Sequence, residues 1–131
     1  MKNIDEGEHK LLANWAADCA AHVLAEFEDI YPDDDRPRKA VEAARAWVSG
    51  KITVPEARNF ALEAHAAARH ATRPESKAAA RAAGHAAATA HVPRHAIYAA
   101  SYAAKATSDP LREMEWQLKM LPENLRAILN L

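Results

Sequence analysis

Apolar residues recur along the chain at three- and four-residue steps, with no run of strict apolar–polar alternation, so the period is helical throughout. Leu11, Leu12, Trp15, Cys19, Val23 and Phe27 form the first stripe and predict a helix from about Asp5 to Glu28. Tyr31-Pro32 ends it. Asp33, Asp34 and Asp35 then lead into a second helix over about Arg36 to Ser49, with Ala40, Val41, Ala44, Trp47 and Val48 inward and Gly50 as its stop. Thr53-Val54-Pro55-Glu56 has the form of a capping box, and Thr72-Arg73-Pro74-Glu75 repeats it. These two starts predict helices over 54–71 and 74–91 with almost no loop between them, an antiparallel hairpin. The residues between the two boxes do not align, so an internal repeat is weakly drawn.

A fifth helix is expected from Pro93 to about Thr107, with Ile97, Ala100, Ala103 and Ala104 inward. Ser108-Asp109-Pro110 starts a sixth that runs to about Met120, with Leu111, Met114, Leu118 and Leu121 at heptad-like spacing. Pro122-Glu123 starts a short last helix whose Leu125, Ile128, Leu129 and Leu131 can pack back. The fold class is all-α. Residues 1–131 are read as a single-domain compact bundle of six to seven helices around an alanine-rich central helical hairpin.

The run from Lys77 to Ala96 is the centre of that reading. Alanine dominates it, and Lys77, Arg81, His85 and Thr89 form one polar stripe at four-residue spacing. A helix with small residues on its other faces is expected to be buried, with neighbours close to its backbone. Gly84 lies in the middle, where glycine costs about 1 kcal/mol against alanine, so it marks a still closer approach by a partner helix. Alanine makes up roughly a quarter of the chain and aromatics only 6%, which implies closely spaced helices rather than a core of large side chains.

A net charge of −1 carries no nucleic-acid footprint. No window of about 18 strongly apolar residues marks a membrane span. One cysteine, Cys19, excludes an intrachain disulfide, and the start MKNIDEGEHK is too charged for a signal peptide. A cytoplasmic protein is expected, bound to neither membrane nor nucleic acid. Cys19 lies inside the first apolar stripe, where a small buried hydrophobe is the plainer reading than a reactive thiol.

Candidate chemistry gathers at His85, His91 and His95, which bracket the Val92-Pro93 break. In an unbroken helix His91 and His95 would share a metal-chelating face, but Pro93 separates them. No H-E-x-x-H or E-x-x-H accompanies them. They read first as a corner fastening, and as metal ligands only if a metal is bound at all. Ser101, Thr89 and Cys19 sit in no nucleophile elbow, and three glycines supply no phosphate loop. Asp18 and His22, four apart, read as a helix-face pair. The stripes Arg58-His65-Arg69 and Asn59-Glu63-His70 read as solvated surface. Tyr98 and Tyr102, close to Arg94, offer amphipathic anchors for a partner. Asp33 to Asp35 can cap the second helix or, with Glu26, Glu28 and Asp29, face a basic partner.

The segments HKLLANWAADCAAHVL, DDDRPRKAVEAARAWVSGKITVPEAR, AARAAGHAAATAHVPRHAIYAASYAAKA and PLREMEWQLKMLPENLR resemble one family. It is the immunity protein 5-like group of small all-α bacterial proteins. The resemblance runs from about His9 to Arg126. Its most specific pieces are Trp15 to Ala20, the D-x-R-P-R-x-A of Asp34 to Ala40, and Ala83 to Val92. It implies an antitoxin that binds a protein toxin and blocks it, with no catalytic residues and no cofactor. On that reading the expected contact residues are Asp33, Asp34, Asp35, Arg36 and Arg38 at the acidic turn, and His85, His91, Arg94, His95 and Tyr98 at the corner. The alternative is a small-molecule or metal-binding helical domain, a metal-dependent enzyme among them, built on His85, His91 and His95 with Asp18 or His22. A homodimer through alanine-rich faces is a third expectation.

Overall fold

The structure, a computed structural model, describes residues 3–130. Its helices are α1 (Glu6–His22), α2 (Ala25–Glu28), α3 (Arg36–Val48), α4 (Val54–His70), α5 (Pro74–Ala88), α6 (His95–Lys105), α7 (Pro110–Met120) and α8 (Glu123–Leu129), with no strand among the described residues. The chain is all-helical, as its periodicity implies. Leu131, expected to pack back, lies outside the described residues.

Several ends are set by local chemistry. Asp5 caps α1 through a capping box with Glu8, and Thr53 caps α4 with Glu56. Asp109 accepts from the Arg112 backbone N–H, with Pro110 as the first residue of α7. At the end of α3, Gly50 takes φ +75°, while its N–H reaches the Trp47 carbonyl and that of Lys51 reaches Ala46. That pair of bonds is a Schellman stop, and its left-handed position favours glycine.

Two expectations are corrected. The first helix is not continuous to Glu28. At Val23 and Leu24 the bonding tightens to i→i+3, with neither glycine nor proline to cause it. Val23, Leu24 and Phe27 are buried on both sides of the break. The second T-x-P-E is not a capping box either: α5 is preceded by Arg73, which makes no side-chain cap. The Thr72 N–H instead donates to the Tyr31 hydroxyl at 3.0 Å. A long-range bond has taken the place of a local one.

Helix α5 is the centre, touching α1, α2, α3, α4 and α6. Gly84 and the alanines at 78, 79, 80, 82, 83, 86 and 87 are all buried. Each methyl contributes little, on the order of 0.8 kcal/mol per buried carbon, so cohesion comes from many close backbone approaches. The larger side chains, including Leu12, Trp15, Phe27 and Leu125, fill the space around α5 in one continuous core. Buried polar groups are paired: Ser76 Oγ donates to the Glu26 carbonyl at 2.7 Å, and Thr89 Oγ1 donates to that of His85 at 2.9 Å. Helix α7 departs from its heptad reading. Leu121 is buried, but Leu111 is 73% and Met114 47% exposed. The reason is that α7 packs chiefly on α6 and leaves one apolar face open.

Candidate functional site

The histidine corner forms from three helices. His85 of α5 and His95 of α6 share a hydrogen bond between their Nδ1 atoms at 2.8 Å, so one donates and the other accepts. His65 of α4 completes the group, its ring 4.9 Å from that of His85. Arg81 donates to His65 Nδ1 at 2.9 Å, which leaves that nitrogen unprotonated. The His65 ring rests directly on Gly84: a β-carbon there would lie 2.7 Å from its Cε1 and Nε2. The approach anticipated at Gly84 is therefore made by an imidazole and not by a helix backbone. Tyr98 packs edge-on against both His85 and His95, and Tyr102 stacks on His85 at 5.3 Å.

These imidazoles are held neutral. Burial, then the Arg81 guanidinium and the neighbouring cations, pushes His65 down to about 4. Burial, then the other histidines and Arg81, does the same to His85. His95 is lowered by burial and then by His91. His91 and Arg94 lie exposed on the turn before α6, and Tyr98 is 40% exposed. The His85, His91 and His95 triad is thus only half assembled, with two rings in contact and His91 outside. Among the described residues, no three histidine, cysteine or acidic side chains are placed to hold one metal ion. The solvated-stripe reading of His65 is overturned. A clue was available: in a hairpin turning at 71–73, residues at similar distance from the turn, such as 65 and 81, face each other.

The acidic turn is built differently from its expectation. Asp34 takes a bidentate pair from Arg36 at 2.9 and 2.7 Å, and Asp34 Oδ1 also accepts the Arg36 backbone N–H. The Arg36 guanidinium holds the Asp34 carboxyl below its usual range. Arg38 pairs with Glu28, and Lys39 with Asp35. Asp35 occupies the cap position of α3 without a side-chain cap bond. Asp33 is exposed and makes no ion pair among the described residues. Most of the turn's charge is neutralised internally. Among the described residues, no hydrogen bond or ion pair joins this turn to the histidine corner.

Asp18 and His22 do not pair with each other. Arg45 donates to Asp18 at 2.9 Å, and His22 Nδ1 bonds the buried Glu113 carboxylate at 2.7 Å. The His22 ring stacks on Trp116 at 3.6 Å. Cys19 lies buried beneath, its thiol pushed up by burial and then by Asp18 and Glu113, the opposite of a reactive thiolate. Glu113 and Trp116 sit on a helix distant in sequence, so no local motif exposes this cluster.

The remaining feature is an apolar trench of about 320 Å³ between α6 and α7, with Trp15 of α1 at its base. Its α6 wall includes Ser101 and Lys105, next to the face that carries the exposed Tyr98 and the half-buried Tyr102.

Fold and surfaces define a small all-α bundle whose polar side chains gather into surface clusters rather than around a metal among the described residues. The chain belongs to the family described as "Imm-5 like putative immunity protein", whose model matches residues 2–124. The motif pieces Trp15 to Ala20, Asp34 to Ala40 and Ala83 to Val92 all fall inside that match. No curated protein and no solved structure matches the chain. Among the described residues no helix is long and apolar enough to cross a membrane.

Proposed function

We propose that this protein is a cytoplasmic immunity protein that neutralises a bacterial protein toxin by binding it, without catalysis and without a cofactor. Family membership supports a protein partner in general. The observation that carries the reading to a surface is the corner at the start of α6. There a 40% exposed Tyr98 packs on His85 and His95, with the exposed Arg94 one helical turn before it. Partly exposed tyrosine beside arginine, held on a rigid helix, is the side-chain chemistry of a binding anchor. His85 supports the rings from beneath, and His91 lies on the adjoining turn.

The acidic turn is the second, weaker contact. With Asp34, Asp35, Arg36 and Arg38 paired within the chain, Asp33 is the charge most readily offered to a basic partner. Rim charges of this kind act more on association rate and salt dependence than on affinity.

The test starts by capturing the partner from lysate of the source organism across a salt series. The captured protein is then expressed alone, where it arrests growth, and with this chain, where growth returns. Tyr98→Ala is expected to weaken the complex by about 2 kcal/mol, roughly thirtyfold, and to lower protection, while the chain stays cooperatively folded with a modestly lower thermal midpoint from the lost contacts with His85 and His95. A captured protein that is harmless when expressed alone sinks the immunity reading. Undiminished affinity in Tyr98→Ala removes the corner as the contact surface.

A further inference from the structure

The trench between α6 and α7 has a chemical character of its own. Its base is the buried Trp15 indole, and its walls are α6 from Ile97 to Lys105 and α7 from Pro110 to Leu118. The polar atoms inside are already satisfied. Trp15 Nε1 donates to the Gln117 carbonyl at 2.9 Å, and Gln117 Nε2 donates to that of Ala100 at 2.8 Å. What remains for an occupant is apolar surface, with one hydroxyl and one ammonium on the α6 wall. Ser101 and Lys105 are one helical turn apart, exposed, and on the same face. Among the described residues Lys105 has no carboxylate partner; its Nζ rests 4.9 Å from the centroid of the Tyr102 ring. A cation–π contact at an exposed site is weak, so the flexible lysine can exchange it for an anion at the trench mouth.

We infer that the trench is a binding site for a small apolar monocarboxylic acid. Its hydrocarbon body lies against Trp15 and Met114, and its carboxylate meets Lys105 and Ser101. At about 30 Å³ per water, the 320 Å³ cavity corresponds to about ten waters, or an apolar body of about ten carbons. That volume falls at the lower end of ordinary ligand pockets, about 300–1,000 Å³. A site enclosed on three sides with a single cation selects one acidic head on an apolar tail. A flat apolar face would carry no such selection. The inference is independent of the toxin-binding reading, which uses the neighbouring face of α6.

Calorimetric titration of the full chain with decanoate and decylammonium, each below its micellar concentration, and with decanol below its solubility limit, tests it. The expected result is saturable one-to-one binding of decanoate, at least tenfold tighter than decanol, with decylammonium weaker still. Ser101→Trp, at an exposed position on the wall, fills the mouth and abolishes binding of all three. Lys105→Glu, also exposed, inverts the order so that decylammonium binds better than decanoate. This inversion decides the matter if Ser101→Trp fails to fold. Equal binding of decanoate and decanol, unaffected by either substitution, would mean non-specific adsorption and overturn the proposal. So would the absence of decanoate binding up to millimolar concentration. If Ser101→Trp weakened binding of the protein partner while the wild type ignored decanoate, the trench would belong to that partner.

Discussion

Gly84 shows how one residue can organise a site. In a helix of alanines, a further alanine there would gain about 1 kcal/mol of helix propensity. Its methyl would stand 2.7 Å from the His65 ring, and overpacking of this kind costs typically 1–3 kcal/mol. His65 is half-buried and can turn outward, so Gly84→Ala is expected to fold with a net loss of about 1 kcal/mol. The distinguishing readout is the ring itself. Turned outward, His65 loses the Arg81 bond and its burial, and its titration followed by NMR rises from about 4 toward the ordinary 6.5. An unchanged His65 titration in that variant would show that the ring does not depend on the missing β-carbon. A glycine within an alanine run is legible in the sequence as a close approach. That the approaching group is an imidazole is not, because it comes from another helix.

At the scale of elements, helix starts are legible in the sequence where the cap is local and obscured where tertiary contacts compete. Thr53 and Thr72 make the contrast, since both precede a residue, a proline and a glutamate three positions on. Thr53 Oγ1 accepts the Glu56 N–H at 3.2 Å, and Glu56 returns a bond to the Thr53 N–H at 3.0 Å. Thr53→Ala is therefore expected to destabilise the protein by about 1 kcal/mol, seen as a lower urea midpoint with unchanged slope. Thr72→Ala keeps the backbone N–H that bonds Tyr31 and loses only a 3.4 Å hydroxyl contact. A change within about 0.5 kcal/mol is expected there. Equal losses in both would revive a capping role for Thr72. Helix α1 teaches the same lesson at its other end. Its stripe continues through Val23 and Phe27, yet the backbone bonds tighten to i→i+3 between them and divide the helix in two.

For the whole molecule, the neutral histidine group ties stability to pH. His65 and His85 titrate near 4 when folded and near 6.5 when unfolded, so between those values the unfolded chain binds more protons. Their contribution is complete above about 6.5 and is lost as pH falls toward 4. The Asp34 carboxyl, held low by the Arg36 guanidinium, adds a loss of the same sign only below the ordinary aspartate value of 3.8. The interval from pH 6.5 to 5 therefore isolates the histidines. The thermal midpoint is expected to fall across it in the wild type and to fall less in His65→Gln. A midpoint flat from pH 6.5 to 5 would contradict the neutral cluster. Assembly is also a property of the whole: the buried alanine faces of α5 are already covered by its neighbours, which leaves them unavailable to a second copy.

The sequence by itself determined the helical class, the buried alanine helix and the family, because these follow from periodicity, small side chains and motifs contiguous in the chain. It also brought His85, His95 and Tyr98 into view, since they flank one proline break. Only the tertiary structure decided which side chains meet. His65 joins His85 across the hairpin, His22 turns to Glu113 rather than Asp18, and Asp34 and Asp35 pair with Arg36 and Lys39. The trench likewise exists only because α7 packs on α6 without covering it. Periodicity tells a residue which side of its own helix it occupies. Which neighbour lies opposite depends on the register and crossing of helices far apart in the chain, and neither is encoded within a single turn.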